Sequence, residues 1–305
     1  MQPVHGIILK IISVCLFVVM AALIKATADI VPPGQAVFFR SFFALPIIFV
    51  WLAMRHELRN GWKTVNPLGH FWRGLIGTGA MGLGFTGLGL LPLPEVTAIG
   101  YAAPLLVVVF AAMFLDEKVG IFRLSTVGLG MVGVLIVLSP RLSTALGVSE
   151  TLGALVVFMG AVLAALAQVF VRKLVATEGT SAIVFWFTVT SSILSLFTIP
   201  WGWVWPGWSA AALLVFAGFV GGMGQMFLTS SYRYADASLV APFDYTSMIL
   251  ALGIGYFVFG EVPTATMLVG AAIVIFAGVL IIWRERALGL QRAQQRKAMG
   301  SIGGK

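Results

Sequence analysis

Residues 95–117 read EVTAIGYAAPLLVVVFAAMFLDE, and residues 239–261 read LVAPFDYTSMILALGIGYFVFGE. Offset by 144 positions, the two stretches align without a gap, placing Tyr101 on Tyr245 and Glu117 on Glu261. The register continues upstream, with Gly74 on Gly218 and Gly77 on Gly221. With slight slippage, Gly133-Val-Leu-Ile falls on Gly278-Val-Leu-Ile and Lys25 on Arg172. Each stretch is an almost unbroken apolar run, and such runs follow one another along the chain.

The 305 residues are 60% hydrophobic and only 10% charged. An ordinary soluble domain carries about 25% charged residues, so there is too little polar surface here to cover a water-soluble core. Disorder is excluded by the same apolar content. Runs of about 20 apolar residues are the length that crosses a bilayer as helix. They are continuous rather than alternating, which excludes a barrel. The fold class is therefore all-α integral membrane.

Ten spans are expected: Gly6–Ala26, Gly34–Met54, Gly69–Leu91, Glu95–Leu115, Phe122–Leu138, Leu152–Leu174, Ser181–Pro200, Ser209–Tyr232, Ala237–Gly260 and Thr264–Trp283. The repeat places five in each half, residues 6–138 and 152–283, and leaves 284–305 as a basic tail. Five is odd, so the halves enter the membrane from opposite sides. The result is a 5+5 inverted-topology repeat, an architecture common among secondary transporters. Because the repeat needs the first span, that span is expected to be kept rather than cleaved as a signal sequence.

The net charge of +8 does not point to nucleic acid, because the cations lie in short loops and the tail. With the N-terminus in the cytoplasm, Arg55, Arg59, Lys63, Arg73, Lys118, Arg123, Arg172, Lys173, Arg233 and the tail fall inside, and only Arg141 falls outside. The positive-inside rule then sets both termini in the cytoplasm. Trp201, Trp203, Trp205 and Trp208 form an interfacial belt on the outer side. The lone Cys15 and three dispersed histidines offer no disulfide framework and no metal site, and no cofactor is expected. No glycine run continues into the Gly-Lys-Ser/Thr of a nucleotide-binding loop.

Charges within spans carry the functional reading, since each costs ~2.5–3.5 kcal/mol on insertion scales. Arg40 lies about two turns into the second span, roughly 10 Å deep. Asp244 lies about two turns into the ninth from the other side; the two are expected to pair, with Asp244 as carrier of a coupling proton the alternative role. Lys10 and Lys25 are expected to act as anchors near helix ends. Gln168, Gln225, Tyr101, Tyr245 and Trp186 supply hydrogen bonds and flat faces for a small-molecule substrate, with Phe85 and Phe243 as further flat faces. With Arg40 and Asp244 they form the candidate substrate-binding set. Glu117 and Glu261 are expected to act as caps or gate ties.

Further motifs carry a family resemblance. The first half has Ala102-Ala103-Pro104, Leu115-Asp116-Glu117 and Gly128. The second has Ala241-Pro242-Phe243-Asp244-Tyr245, Phe259-Gly260-Glu261-Val262-Pro263 and Gly270, and Phe38-Phe39-Arg40-Ser41 lies in span two. Together these resemble the paired EamA domains of the drug/metabolite transporter superfamily. Asp116-Glu117 stands where that family more often has Gly-Glu. The resemblance implies a central cavity between the halves, alternating access and a bacterial inner-membrane location. It also suggests riboflavin uptake, with amino-acid export and S-adenosylmethionine import as alternatives. An integral-membrane lipid enzyme is a remoter reading, since no His/Asp cluster marks an interface site.

Overall fold

The computed structural model describes residues 3–114, 120–142, 148–175, 177–234 and 241–302. Side chains of Arg233, Pro242 and the tail beyond Arg284 lie outside that description, as do Asp116, Glu117 and Lys118. All regular structure among the described residues is helical. The helices are α1 (Pro3–Lys25), α2 (Pro33–Phe42), α3 (Leu45–Met54), α4 (Pro67–Leu90), α5 (Leu93–Gly100), α6 (Ala102–Phe114), α7 (Ile121–Leu138), α8 (Val148–Val175), α9 (Thr180–Leu196), α10 (Gly207–Tyr234), α11 (Thr246–Phe259) and α12 (Ala265–Ile302).

Among the described residues, six segments are long and apolar enough to cross a membrane: Val4–Lys25, Pro33–Met54, Leu93–Phe114, Ile121–Arg141, Ser149–Val175 and Gly207–Ser231. Thr180–Leu196, Phe243–Phe259 and Ala265–Ile281 are shorter apolar helices. The outward surface is apolar, with Ile121, Phe257 and Ile249 all strongly exposed. Such a surface is stable only against lipid.

Prolines set the breaks. A proline inside a helix lacks an N–H and its ring collides with the carbonyl four residues back. Four residues before Pro46 is Phe42, where α2 ends; four before Pro104 is Gly100, where α5 ends. The second and fourth apolar runs are thus two helices each, turning at Phe43–Ala44 and at Tyr101. In the ninth run, Ala241–Tyr245 is a 3-10 turn leading into α11.

The closest packing joins helices far apart in sequence: α1 with α10, α4 with α8, and α7 with α12. Small residues permit it, since lipid offers no hydrophobic drive for helix association. At the α7–α12 crossing, a Cβ on Gly133 would lie 2.8 Å from the Gly270 carbonyl oxygen, and one on Gly270 2.7 Å from that of Gly133.

Candidate functional site

A cavity of about 770 Å³ lies among α1, α2, α4, α5, α6, α8, α9, α10 and the 3-10 turn before α11. Its wall reaches from Leu93 and Thr97, near the C-terminal end of α1, to Arg172 and Val175 at the C-terminal end of α8. Arg40, Tyr101, Gln168, Gln225 and Asp244 all line it. Trp186 does not: its indole N–H donates to the Trp62 carbonyl at 2.8 Å, at the mouth of the α8–α9 end. Tyr245 lies behind the wall, its ring edge-on to Tyr101 with centroids 5.1 Å apart. Phe85 lines a smaller, separate hollow.

The expected Arg40–Asp244 pair is not formed. Asp244 instead binds Lys10, Oδ1 to Nζ at 2.7 Å. The reason is rotational: the 3-10 turn carrying Asp244 packs on α1, whereas α2 faces α9 and α10. Lys10 is therefore no interfacial anchor but a buried cation, 2% exposed. Beside it, the Tyr101 hydroxyl and Ser247 Oγ share a hydrogen bond of 2.7 Å.

Arg40 keeps different company. Its guanidinium carbon lies 5.6 Å from the Phe187 ring centroid, and that of Arg73 lies 3.5 Å from the same ring. Both arginines line the cavity and both are buried. Among the described residues neither has a salt-bridge partner, and Nε and Nη1 of each are buried without a hydrogen bond. A desolvated cation–π contact is worth about 2 kcal/mol, while each buried unsatisfied donor costs about 1–3 kcal/mol. Arg73, expected to count among the charges on the inner side, is thus a cavity residue, and so is Arg172. The signal for Arg73 was present: it stands six residues past Pro67, where Asn66 caps α4 by accepting the Gly69 N–H at 2.9 Å. At 1.5 Å per residue that is about 9 Å into the helix.

Beyond Leu93, at one end of the cavity, helix ends are tied together. Lys25 Nζ meets Glu261 Oε1 at 2.9 Å and donates to the Leu88 and Leu91 carbonyls at 3.1 and 2.8 Å. Glu261 Oε2 accepts the Leu93 N–H at 2.9 Å. Four helix ends meet there: the last residue of α1, the C-terminus of α4, the first residue of α5 and the residue after the α11 cap. Lysine at a helix C-terminus satisfies open carbonyls and complements the helix dipole. Glu261 is aimed by Gly260, whose φ of 66° closes α11 in the left-handed region while the Glu261 N–H returns to the Gly255 carbonyl at 2.8 Å. Only glycine takes that conformation freely, which explains the Gly260-Glu261 order. On the same side Arg141 is held by Glu95, at 2.8 and 2.9 Å, and by Glu150. The single arginine expected outside is therefore locally neutralised.

At the other side, Glu178 braces the start of α4. It accepts from Thr64 Oγ1–H at 2.7 Å and from the Val65 and Asn66 N–H groups, each at 2.9 Å. Burial pushes its carboxyl up, but these hydrogen bonds win and hold it below the ordinary carboxylate range.

The profile of the EamA-like transporter family matches the chain twice, over residues 4–139 and 151–284. The S-adenosylmethionine uptake transporter of Rickettsia felis is 27% identical over 258 residues, covering 83% of each chain. The pseudopaline exporter of Pseudomonas aeruginosa is 27% identical over 293 residues, 90% of this chain and 95% of the exporter. The riboflavin transporter of Rhizobium johnstonii is 27% identical over 257 residues, 83% of this chain and 82% of that protein. One solved crystal structure shares the fold at a TM-score of 0.67 and 18% identity, over 93% of this chain and 98% of the other. Two matches that together span nearly the whole sequence, and relatives that are transporters rather than enzymes, place the chain in the EamA-like transporter family.

Proposed function

We propose that the protein is a secondary transporter that moves a small organic metabolite across a bacterial inner membrane by alternating access, with both termini in the cytoplasm. Counting each proline-broken run (α2–α3, α5–α6) as one span gives ten, five in residues 6–138 and five in 152–283, with 284–305 as a cytoplasmic tail. The pairing of α1 with α10 and α4 with α8 supports opposed repeats, since the two contacts exchange under the 144-residue relation. The observation that carries the reading is the cavity itself. Its mostly apolar wall carries charged and amide side chains, Lys10, Arg40, Arg73, Gln168, Gln225 and Asp244, and runs from Leu93, next to the Lys25–Glu261 tie, to Val175 at the other end. Arg40, Tyr101, Gln168, Gln225 and Asp244 are the residues proposed to meet the solute, with Tyr245 supporting Tyr101 from behind.

Riboflavin uptake, the cargo suggested by the resemblance, stands beside S-adenosylmethionine uptake and pseudopaline export, because relatives bearing all three names match at the same 27%. The test is reconstitution of the full chain into liposomes with labelled riboflavin, S-adenosylmethionine and amino acids. Saturable uptake stimulated by the same solute inside the vesicle is expected for one of them. Linear uptake of every solute, unchanged by internal solute, overturns the transporter reading.

A further inference from the structure

We propose that Arg40 and Arg73 form an oxyanion-binding site, so that the solute carried is one bearing a carboxylate or a phosphate. The inference rests on the transport reading of the cavity and deepens it.

Two like charges are held in one buried place, and among the described residues neither has an acidic partner. The candidate acid, Asp244, is engaged by Lys10. Phe187 holds both guanidinium groups through its ring. A π face stabilises the cation but does not fill its N–H groups. Nε and Nη1 of each arginine accordingly remain without acceptors. Such donors are tolerated where an anion completes the site, and the planar fork of arginine matches carboxylate and phosphate oxygens two at a time.

The backbone also makes room for this arrangement. A Cβ on Gly77 would lie 2.6 Å from Arg73 Nη1 and 2.9 Å from the Phe187 ring. A Cβ on Gly221 would lie 2.6 Å from Met20 Sδ and 3.1 Å from Arg40 Nε. Gly77 and Gly221 are equivalent under the 144-residue shift, so the same small position in each half clears space for one guanidinium. Elsewhere the cavity offers Gln168, Gln225, Tyr101 and the Lys10–Asp244 pair, which suit neutral hydrogen-bonding parts of a solute. Riboflavin, uncharged at neutral pH, offers the arginines only neutral acceptors. Its phosphate ester or an amino-acid carboxylate fills them.

The test uses the full chain in neutral detergent and two matched pairs, each differing by one oxyanion: flavin mononucleotide against riboflavin, and S-adenosylmethionine against its carboxamide. Inorganic phosphate and acetate serve as minimal probes against chloride at equal ionic strength. Binding is read as a shift in melting temperature and as competition. At least one oxyanion member is expected to bind tenfold or more tighter than its partner, and the pair that responds tells phosphate from carboxylate. Arg73→Gln and Arg40→Gln should erase that preference, and Arg73→Lys should keep part of it. Should the glutamine variants fail to fold, Gly77→Ala, which keeps both charges but presses first on Arg73 Nη1, should still weaken the anion without weakening the neutral partner. No preference in either pair together with no response to phosphate or acetate overturns the proposal. So does a shift produced by added phosphatidylglycerol alone, which would make the occupant a lipid. Proteoliposome uptake separates the two readings: saturable transport indifferent to the oxyanion removes this site and leaves the transporter, whereas arginine-dependent anion binding without uptake does the reverse.

Discussion

Tyr101 and Tyr245, equivalent residues of the two halves, touch each other: their rings meet edge-on at 5.1 Å, and the Tyr101 hydroxyl lies 3.4 Å from the Tyr245 carbonyl. This contact joins the kink after α5 to the 3-10 turn before α11. Its fit depends on Gly278, because a Cβ there would occupy the place of the Tyr245 hydroxyl.

Gly278→Ala is accordingly expected to overpack the site and destabilise the protein by about 1–3 kcal/mol. Melting in detergent measures it. Tyr245→Phe should relieve only part of the loss, since ring carbons also stand in the way. An unchanged melting temperature in Gly278→Ala contradicts the packing described here.

Glu261→Gln should loosen the Lys25 tie while its amide oxygen still accepts the Leu93 N–H. In the proposed orientation this end faces outward, so a cysteine at Thr97, which lines the cavity, should label several-fold faster from outside in the variant. The comparison is made with Cys15 replaced in both proteins. Equal labelling rates would mean that the tie does not guard the cavity.

Glu178 predicts a pH dependence. Its carboxyl is depressed in the folded protein, so its contribution to stability is present above the ordinary glutamate value of 4.5 and is lost as pH falls through the lowered folded value. Wild-type melting temperature should therefore fall on acidification below about pH 4.5 more steeply than that of Glu178→Gln. At pH 7 the variant should be less stable by about 2 kcal/mol, the scale of one hydrogen bond to a charged acceptor. Parallel curves would assign the acid sensitivity elsewhere.

Membrane orientation is checked by fusion. A fluorescent reporter after Lys305 should mature in the cytoplasm, and a periplasmic phosphatase inserted at Ser143 should be active. The reverse pattern excludes the ten-span, N-in arrangement.

The apolar runs were legible in the sequence because hydropathy depends on local composition alone. Pro46 and Pro104 end helices four residues earlier wherever they occur in one, and Gly260 before Glu261 announces a left-handed cap. The partners of the charges were not legible in the same way. Depth along a helix follows from counting residues, but the direction a side chain faces follows from how the helix is rotated, and a helix apolar on every side, such as α3 or α11, leaves no periodic trace of that rotation. Arg40 and Asp244 were matched by depth and sign alone, and the rotation of α2 toward α9 separates them. Lys10 and Arg73, each within about two turns of a helix start, resemble interfacial anchors until packing turns them inward. Arg73 became interpretable only with Phe187 and Gly77 beside it, residues from α9 and from its own helix.

The Lys10–Asp244 pair yields the most discriminating prediction, because its members are unequally buried. Lys10 is 2% exposed and Asp244 35%. Removing one partner of a fully buried pair costs about 3–5 kcal/mol, since the other charge is stranded in low dielectric. Asp244→Asn removes the carboxylate bound to the deeply buried Lys10 and should cost about 2–3 kcal/mol. Lys10→Met leaves Asp244 facing the cavity and should cost less than half of that. The double variant removes both charges of the pair and should be more stable than Asp244→Asn alone, giving a coupling of at least about 1 kcal/mol. Asp244→Asn combined with Arg40→Gln shares no partner and should be additive to about 0.5 kcal/mol. Melting temperatures of the four single and double combinations in each cycle decide between the two pairings. Coupling in the Arg40 cycle with none in the Lys10 cycle would restore the pairing expected from depth alone and remove the basis for leaving Arg40 to an incoming anion.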